Sequence, residues 1–274
     1  MDASSPPNLK TTKSDNDIED AGMRRFVGIT FGIATQLLFL FTVWHLFWFL
    51  REDFSHHSHG FLGIDVLLAL QFAVGHSILL YPGVRSAITR WLPSQFYGCL
   101  FCIQTCLGIL LTAFCWQSSP VQLWNLTGWG SWLMLAGFYG SWISLLYSLN
   151  LTGLGYQTGL TQWWYWLQRK PLPRREFQPR SLYCCMRHPV YLSFMGLLWF
   201  TPLMTLDHAI LTGVWTAYIF IGSYLKDERL SYYIGKPYRD YQTRVPGYPF
   251  VFFGPLGKRK AKPAPVKPLE KITV

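Results

Sequence analysis

Long apolar stretches alternate with short polar segments along the chain, and this pattern predicts its architecture. Four stretches exceed the roughly 18 residues that a helix needs to cross a hydrocarbon layer of ~30 Å. They cover residues 26–50, 61–81, 96–116 and 129–149. Two shorter stretches, residues 190–206 and 209–225, are separated only by Asp207 and His208, so we expect a short helical hairpin. The pattern predicts an all-α, polytopic membrane helical bundle of about six spans.

The two ends of the chain are polar instead. Residues 1–20 are polar and acidic, which is typical of a disordered tail and unlike a signal peptide. Residues 254–274 are basic and rich in proline, and we expect a second disordered tail there. Residues 21–253 are then predicted to form a single transmembrane domain.

Composition and charge agree with a membrane protein. Only 14% of residues are charged, against about 25% in soluble domains, and half are hydrophobic. If both termini are cytoplasmic, all 24 lysines and arginines except Arg51 lie on the inner side, as the positive-inside rule requires. We therefore expect a multi-pass protein with membrane lipids as partners. The net charge of +10 does not indicate nucleic-acid binding, because no basic segment is interleaved with stacking aromatics on a folded module.

The predicted inner loop, residues 150–189, contains the stretch "WWYW" followed by basic residues. Such a stretch predicts a cytosolic interfacial helix. Two roles stay open for it, simple anchoring at the membrane surface or a lid over a site.

Two groups of residues, the cysteines of one span and the histidines of an outer loop, are potential metal or redox ligands, and we assign neither role to them. Cys99, Cys102 and Cys106 recur at helical spacing on one predicted span, where packing explains them better than a metal or disulfide framework. Three histidines, at positions 56, 57 and 59, lie in an outer loop without a carboxylate partner pattern. We predict no metal site.

Polar residues collect at the inner ends of the predicted spans, where they are costly and therefore informative. They are His76, Ser77, Arg187, His188, Lys226, Asp227, Glu228 and Arg229, followed by Tyr238 and Tyr241. Connectivity places them at one depth on one side, which predicts a site at the inner interface. Asp65 and Asp207 fall at the outer ends and are interpreted as markers of the membrane boundary.

The segment "RHPVYLSF", residues 187–194, suggests what such a site would bind. With Pro189 as the first residue of a helix, His188 is its cap and free amides point outward. Together with Arg187 this helix end favours a carboxylate or phosphate, while Asp227 would attract an amine or hydroxyls. The residues alone leave two interpretations open, a clamp for a zwitterionic cofactor or an anchor to lipid headgroups.

Motif order distinguishes the two interpretations. "RHPVYLSF" and "KDERLSYYIGKPYRDYQTRVPGYPF" resemble the membrane methyltransferases related to isoprenylcysteine carboxyl methyltransferase. Upstream, "GHSILLYPGVRSAITRWLP" and "NLTGLGYQTGLTQWWYWLQRKP" are similar to the bacterial methanethiol S-methyltransferase branch. The resemblance covers about residues 65 to 250.

This resemblance implies transfer of a methyl group from S-adenosylmethionine to a small volatile thiol, methanethiol giving dimethyl sulfide, without a metal. The implied cofactor-binding residues are Arg187, His188, Tyr191, Asp227, Glu228, Tyr238 and Tyr241. His188, Asp227 and His76 are the candidates to take the thiol proton. The chain departs from the family pattern at Lys226, where an acid is expected and Glu228 would have to substitute, and at Ser193 and Ser181, where glycine is expected.

Other functions remain compatible with the sequence. The acceptor could be sulfide, a phospholipid amine or a prenylcysteine. From a different class, the chain could be a non-enzymatic membrane protein, a denitrification accessory or a small-molecule permease, although a permease would place its ionisable residues along a path through the midplane. The sequence predicts no oligomeric state.

Overall fold

The structure, a computed structural model, describes residues 15–51, 62–174 and 176–260. The chain there forms α1 (Asp15–Arg51), α2 (Gly63–Leu80), α3 (Pro82–Ile88), α4 (Tyr97–Cys115), β1 (Gln122–Asn125), α5 (Trp129–Thr152), α6 (Leu154–Gln157), α7 (Leu160–Leu167), α8 (Leu182–Cys185), α9 (Pro189–Trp199), β2 (Leu203–Thr205), α10 (Leu206–Ile234) and α11 (Lys236–Arg244). Most of both predicted tails lies outside the described residues, although α1 begins at Asp15.

Five helices in the described ranges are long and apolar enough to cross a membrane. They are Gly22–Arg51, Gly63–Leu80, Ser94–Cys115, Trp129–Thr152 and Leu206–Ile234. The prediction of an all-α polytopic bundle is confirmed. In the bundle α4 packs against α1 and α2, α5 against α9, and α10 against α2 and α9.

The last two apolar segments form a less equal pair than the sequence suggests. The first becomes α9, whose 11 residues reach roughly 16 Å, about half of the hydrocarbon thickness. It ends before Pro202, which disfavours helix at the preceding residue, and β2 then pairs antiparallel with β1. The second becomes the 29-residue α10, which continues until Gly235 adopts a φ of 74° that favours glycine.

Small residues let α9 approach α5 closely. Ser193 on α9 donates its proton to the Pro189 carbonyl and accepts a hydrogen bond from Ser144 on α5, with 2.9 Å between the hydroxyl oxygens. At Gly196, a Cβ atom would overlap the Ser141 side chain. The serine that replaces the family's glycine at position 193 therefore lies in a contact that requires small side chains.

The acids at the opposite end of the bundle have a structural role that the sequence did not predict. Asp65 and Asp207 lie in the first turns of α2 and α10, as expected for acids at span ends, and they are fully buried. Asp207 accepts hydrogen bonds from Trp116 Nε1 and the Ser119 amide, both at 3.1 Å. Asp65 accepts one from the Gln117 amide at 2.9 Å. Both carboxylates satisfy donors of the segment that follows α4, which is why they lie inside the fold.

The tryptophan-rich α7 is packed into the bundle. Trp163 is buried and donates from Nε1 to the Gly28 carbonyl of α1 at 2.9 Å. A side chain at Gly32 would overlap the Trp163 indole. One face of α7, with Gln162 and Trp166, forms part of a cavity wall, while Trp164 stays exposed.

Candidate functional site

A large cavity lies at the end of the bundle where α2 and α10 finish and α4 and α9 begin, which we call the site end. Its volume of about 1760 Å³ exceeds the roughly 300–1000 Å³ of typical small-molecule sites. Its deeper part is lined by apolar and aromatic side chains of the spans, and its outer part by polar side chains. Most of the polar residues that the sequence places at the inner ends of the spans line this cavity, and His188 and Asp227 lie beside it.

Next to the cavity lies a compact group of four side chains, Arg187, His188, Asp227 and Tyr238, which we call the Asp227 cluster. Each is at most 2% exposed. Arg187 Nη2 and Nε donate to Oδ2 of Asp227 at 2.8 and 3.0 Å. Tyr238 donates to Oδ1 at 2.5 Å, and His188 Nε2 lies 3.3 Å from the same oxygen. The carboxylate on α10 is thus surrounded by groups from two other segments of the chain, the start of α9 and α11.

The remaining donors of Arg187 are used by the backbone. Nη1 donates to the carbonyls of Val245 at 2.6 Å and Gly257 at 3.0 Å, and Nη2 donates to Pro255 at 3.3 Å. The Arg187 amide donates to the Pro246 carbonyl at 2.8 Å. A buried guanidinium needs such a complete set of acceptors. Arg187 therefore joins the start of α9 to α10 and to the segment after α11.

His188 lies behind the cavity wall and does not line it. Its ring stacks on Tyr191, with 5.5 Å between centroids and 14° between planes, and contacts Tyr248 on the other side. Burial lowers the pKa of His188 below its ordinary value, and the neighbouring Asp227 only partly offsets this. As predicted, His188 precedes Pro189 at the first turn of α9.

The two predicted tyrosines of α11 hold that helix against the site end. Tyr238 and Tyr241 pack with Phe177, and Tyr241 donates a hydrogen bond to the Tyr183 carbonyl. Burial raises the pKa of both phenols above the ordinary value, so both act as hydrogen-bond donors. Both also line the cavity.

Glu228 points toward the protein surface. It is exposed, and its carboxylate pairs with Arg259 Nη1 at 2.5 Å. Tyr191 and Lys226, by contrast, both line the cavity, with Lys226 Nζ 4.8 Å from the centre of the Tyr191 ring. The residue that departs from the family pattern is thus on the cavity wall.

His76 is the one member of the three proton-acceptor candidates that lines the cavity. Its Nδ1 lies 3.1 Å from Oγ1 of Thr105. Thr105 donates its only proton to the Phe101 carbonyl at 2.9 Å, so toward His76 the hydroxyl accepts. The proton of a neutral His76 therefore sits on Nδ1, and Nε2 carries the free lone pair. Among the described residues Nε2 has no hydrogen-bond partner.

Aromatic rings surround His76. Phe72 and Phe101 lie 5.6 and 4.7 Å from its ring centre. Tyr218 lies 6.4 Å away and accepts a hydrogen bond from Ser77 at 3.4 Å. The imidazole thus lies among aromatic rings, with the hydroxyls of Thr105, Ser77 and Tyr218 on the same cavity wall.

Sequence reasoning missed Thr105 and Tyr218 as parts of this site, and it placed Arg229 at the inner face without giving it a role. Arg229 lines the cavity one turn after Lys226. For Thr105 and Tyr218 no motif exists, because their relevance comes only from contacts between α4, α10 and α2. For Arg229 a signal existed, since it belongs to the charged run that ends a long apolar helix.

Potential metal and redox ligands are distributed as follows. All six cysteines are free thiols, and Cys99, Cys102 and Cys106 are buried on α4. No group of three or more metal-ligating side chains occurs within residues 15–51, 62–174 and 176–260. His56, His57 and His59 lie outside these ranges, so the interpretation of that loop stays a prediction.

Curated proteins resemble the chain over most of its length. It is 27% identical over 237 residues to "Methanethiol S-methyltransferase" of Pseudomonas sp. (strain GM41(2012)), which covers 81% of this chain and 89% of that protein. It is 27% identical over 233 residues to the protein of the same name from Mycobacterium tuberculosis, covering 81% and 96%. "Nurim" of Xenopus laevis is 26% identical over 167 residues, 58% of each chain.

No protein-family model matches the chain, and no solved structure matches it significantly. The alignments with the two methanethiol S-methyltransferases nevertheless cover 81% of this chain and 89% and 96% of those proteins. The resemblance predicted from the ordered motifs is confirmed, and the chain is similar to the methanethiol S-methyltransferases.

Proposed function

We propose that this protein is an integral-membrane methyltransferase that moves a methyl group from S-adenosylmethionine to methanethiol, which gives dimethyl sulfide. The observation that carries the proposal is His76, a histidine with one unpartnered nitrogen on the wall of a large, mostly apolar cavity. The similarity to proteins named methanethiol S-methyltransferase supports the same reaction.

The residues on the cavity wall fit the methyl donor. S-adenosylmethionine supplies an electrophilic methyl group on a sulfonium, beside a carboxylate, an amine and an adenine. Lys226 and Arg229 offer positive charge, and Gln162 offers a buried Oε1 without a hydrogen-bond partner among the described residues. Tyr191 and other rings offer faces for the adenine and for a cation.

We assign to His76 the role of accepting the proton of the thiol substrate. An alkyl thiol is mostly protonated at neutral pH, and only its thiolate is a strong nucleophile. Nε2 of His76 accepts the S–H proton, the sulfur forms a new bond to the methyl carbon, and the bond between that carbon and the donor sulfur breaks. The Thr105 hydroxyl keeps the imidazole in the tautomer that this step needs.

The other predicted site residues divide into two roles in this proposal. Tyr191, Tyr238 and Tyr241 line the cavity and are within the region that the cofactor would occupy, and Glu228 lies at the exposed edge of that region. Arg187, His188 and Asp227 act as positioning residues, because Arg187 binds Asp227 and backbone carbonyls and His188 Nε2 lies 3.3 Å from the same carboxylate. They fix the start of α9 against α10 and α11.

We place the site end in the cytoplasm, with both termini on that side. The basis is the distribution of lysine and arginine, which are concentrated in the segments at this end. A charged cofactor then enters from the cytosol, while a small apolar thiol reaches the same cavity through the bilayer.

The proposal is tested with purified protein in lipid nanodiscs, given methanethiol and S-adenosylmethionine. We expect dimethyl sulfide in the headspace and an equal amount of S-adenosylhomocysteine in solution. Sulfide, a phospholipid amine and a prenylcysteine are offered in parallel reactions. Turnover of one of these alone would replace methanethiol as the acceptor. No methyl transfer to any acceptor would favour a non-enzymatic membrane protein.

A further inference from the structure

Two cations on the cavity wall have no acidic partner. Lys226 and Arg229 are three residues apart on α10, so they share one helix face, and both line the cavity. In the part of the chain that the structure describes, neither side chain forms an ion pair or a hydrogen bond. Among the described residues, Lys226 Nζ lies over the face of the Tyr191 ring, 4.8 Å from its centre.

The neighbouring acids are engaged elsewhere. Asp227 is held by Arg187 and Tyr238, and Glu228 pairs with Arg259. Glu176 at the cavity mouth is exposed and accepts a hydrogen bond from Gln178. The positive charges of Lys226 and Arg229 are therefore not neutralised by the described residues around them.

Unpaired cations at the end of an apolar span are costly, which makes them candidates for ligand binding. The cations closer to the surface differ, since Arg180 donates to Gln178 and Arg85 lies over the Tyr97 ring. Lys226 and Arg229 instead line the reaction cavity together with His76, Tyr191 and Tyr218.

We propose that Lys226 and Arg229 form an anion subsite that holds the carboxylate of the methyl donor's amino-acid portion. This rests on the proposed function. Arg187 does not supply this contact, because its guanidinium donors are directed to Asp227 and to backbone carbonyls. Lys226 stands where the family pattern has an acid, and in this subsite it contacts the ligand directly. The donor's carboxylate then lies on the same cavity wall as His76.

The experiment compares binding of two probes by calorimetry in neutral-lipid nanodiscs. S-adenosylhomocysteine carries the carboxylate, and its decarboxylated analogue lacks it. Charge-assisted hydrogen bonds are worth about 1.5–3 kcal/mol, so we expect the protein to prefer the first probe by roughly 10- to 100-fold. Lys226→Met and Arg229→Met should each weaken binding of S-adenosylhomocysteine and leave the affinity for the decarboxylated analogue nearly unchanged.

Lys236→Met is the matched control, because Lys236 is exposed and pairs with Asp240 on α11. It should keep the full preference for the carboxylate. Arg229→Lys should restore part of the preference lost in Arg229→Met, which a merely structural role would not produce. Melting temperatures of all variants confirm that each is folded when its affinity is measured.

The outcomes separate this subsite from the proposed function. If the unmodified protein binds neither probe and transfers no methyl group, the proposed function fails. If it binds both probes but the two methionine variants keep the preference for the carboxylate, the subsite assignment fails alone. A lipid phosphate would offer the same chemistry, so binding is repeated with anionic phosphatidylglycerol. Competition by that lipid, combined with an unchanged carboxylate preference in the variants, would reassign the cations to a lipid headgroup.

Discussion

Lys226 and Asp227 are adjacent in sequence, yet they belong to two different regions of the site end. Asp227 is fully buried, and its carboxylate is surrounded by donors of Arg187, His188 and Tyr238. Lys226 lines the cavity and has no acidic partner among the described residues. In the first region the charged groups Arg187 and Asp227 are paired with each other, and in the second Lys226 is left available to a ligand.

The same contrast separates residues of the same type. Arg187 has acceptors for its guanidinium within the protein, whereas Arg229 has none in the described part of the chain. His188 is enclosed by two aromatic rings behind the wall, whereas His76 is on the wall with a free Nε2. Residue type and motif position therefore do not decide which side chain meets a ligand. The availability of its polar atoms does.

The largest expected effect comes from opening the Asp227 cluster. Asp227→Asn leaves the Arg187 guanidinium buried without a counter-charge, so we expect a loss of about 3–5 kcal/mol of unfolding free energy. Chemical unfolding of the purified protein in mild detergent measures it. The matched control is Glu228→Gln, which breaks a partly exposed pair with Arg259 and should cost at most about 1 kcal/mol. Equal losses from the two substitutions would contradict the distinction between the regions.

The next effect comes from the cavity wall. His76→Gln should lower kcat for methyl transfer by roughly 10²- to 10⁴-fold, the usual contribution of a general base. The affinity for S-adenosylhomocysteine should stay nearly unchanged. Residual activity of the variant should rise with pH, because the thiol then ionises without help.

Thr105→Val sharpens this prediction. It removes the acceptor that holds the His76 proton on Nδ1, so we expect a smaller loss of kcat with a normal affinity for the cofactor product. A His76→Gln variant that keeps full activity would exclude the histidine as the proton acceptor. In that case the free lone pair of Nε2 would be incidental to catalysis.

The smallest expected effect is the pH dependence of stability that His188 contributes. Because burial lowers its pKa in the folded state, the unfolded chain binds a proton more readily. The contribution is fully present above the unfolded value of about 6.5 and is lost as the pH falls below it toward the folded pKa. We expect the melting temperature to fall over this window, and His188→Phe to flatten the fall. An unchanged slope in that variant would contradict the assignment.

Much of the fold followed from the pattern of apolar residues. The long stretches predicted the spans, because a chain that crosses a membrane must satisfy its backbone hydrogen bonds internally, as an α-helix does. The predicted hairpin was less accurate, since Pro202 and the pairing of β2 with β1 shorten α9 to about half a span. The burial of Asp65 and Asp207 was not predicted, because a polar residue at a span end is exposed or buried depending on which neighbouring donors reach it.

For the site, the sequence by itself determined that Arg187, His188, Asp227, Tyr238 and His76 lie at one end of the bundle. Alternation of spans fixes the depth of each residue, and the ordered motifs indicate the chemistry. Only the tertiary structure decided which of these residues pair with each other and which face the cavity. The physical reason is that a buried polar atom must find a partner, and its partner here is supplied by helices distant in sequence, such as Thr105 for His76 and Asp227 for Arg187.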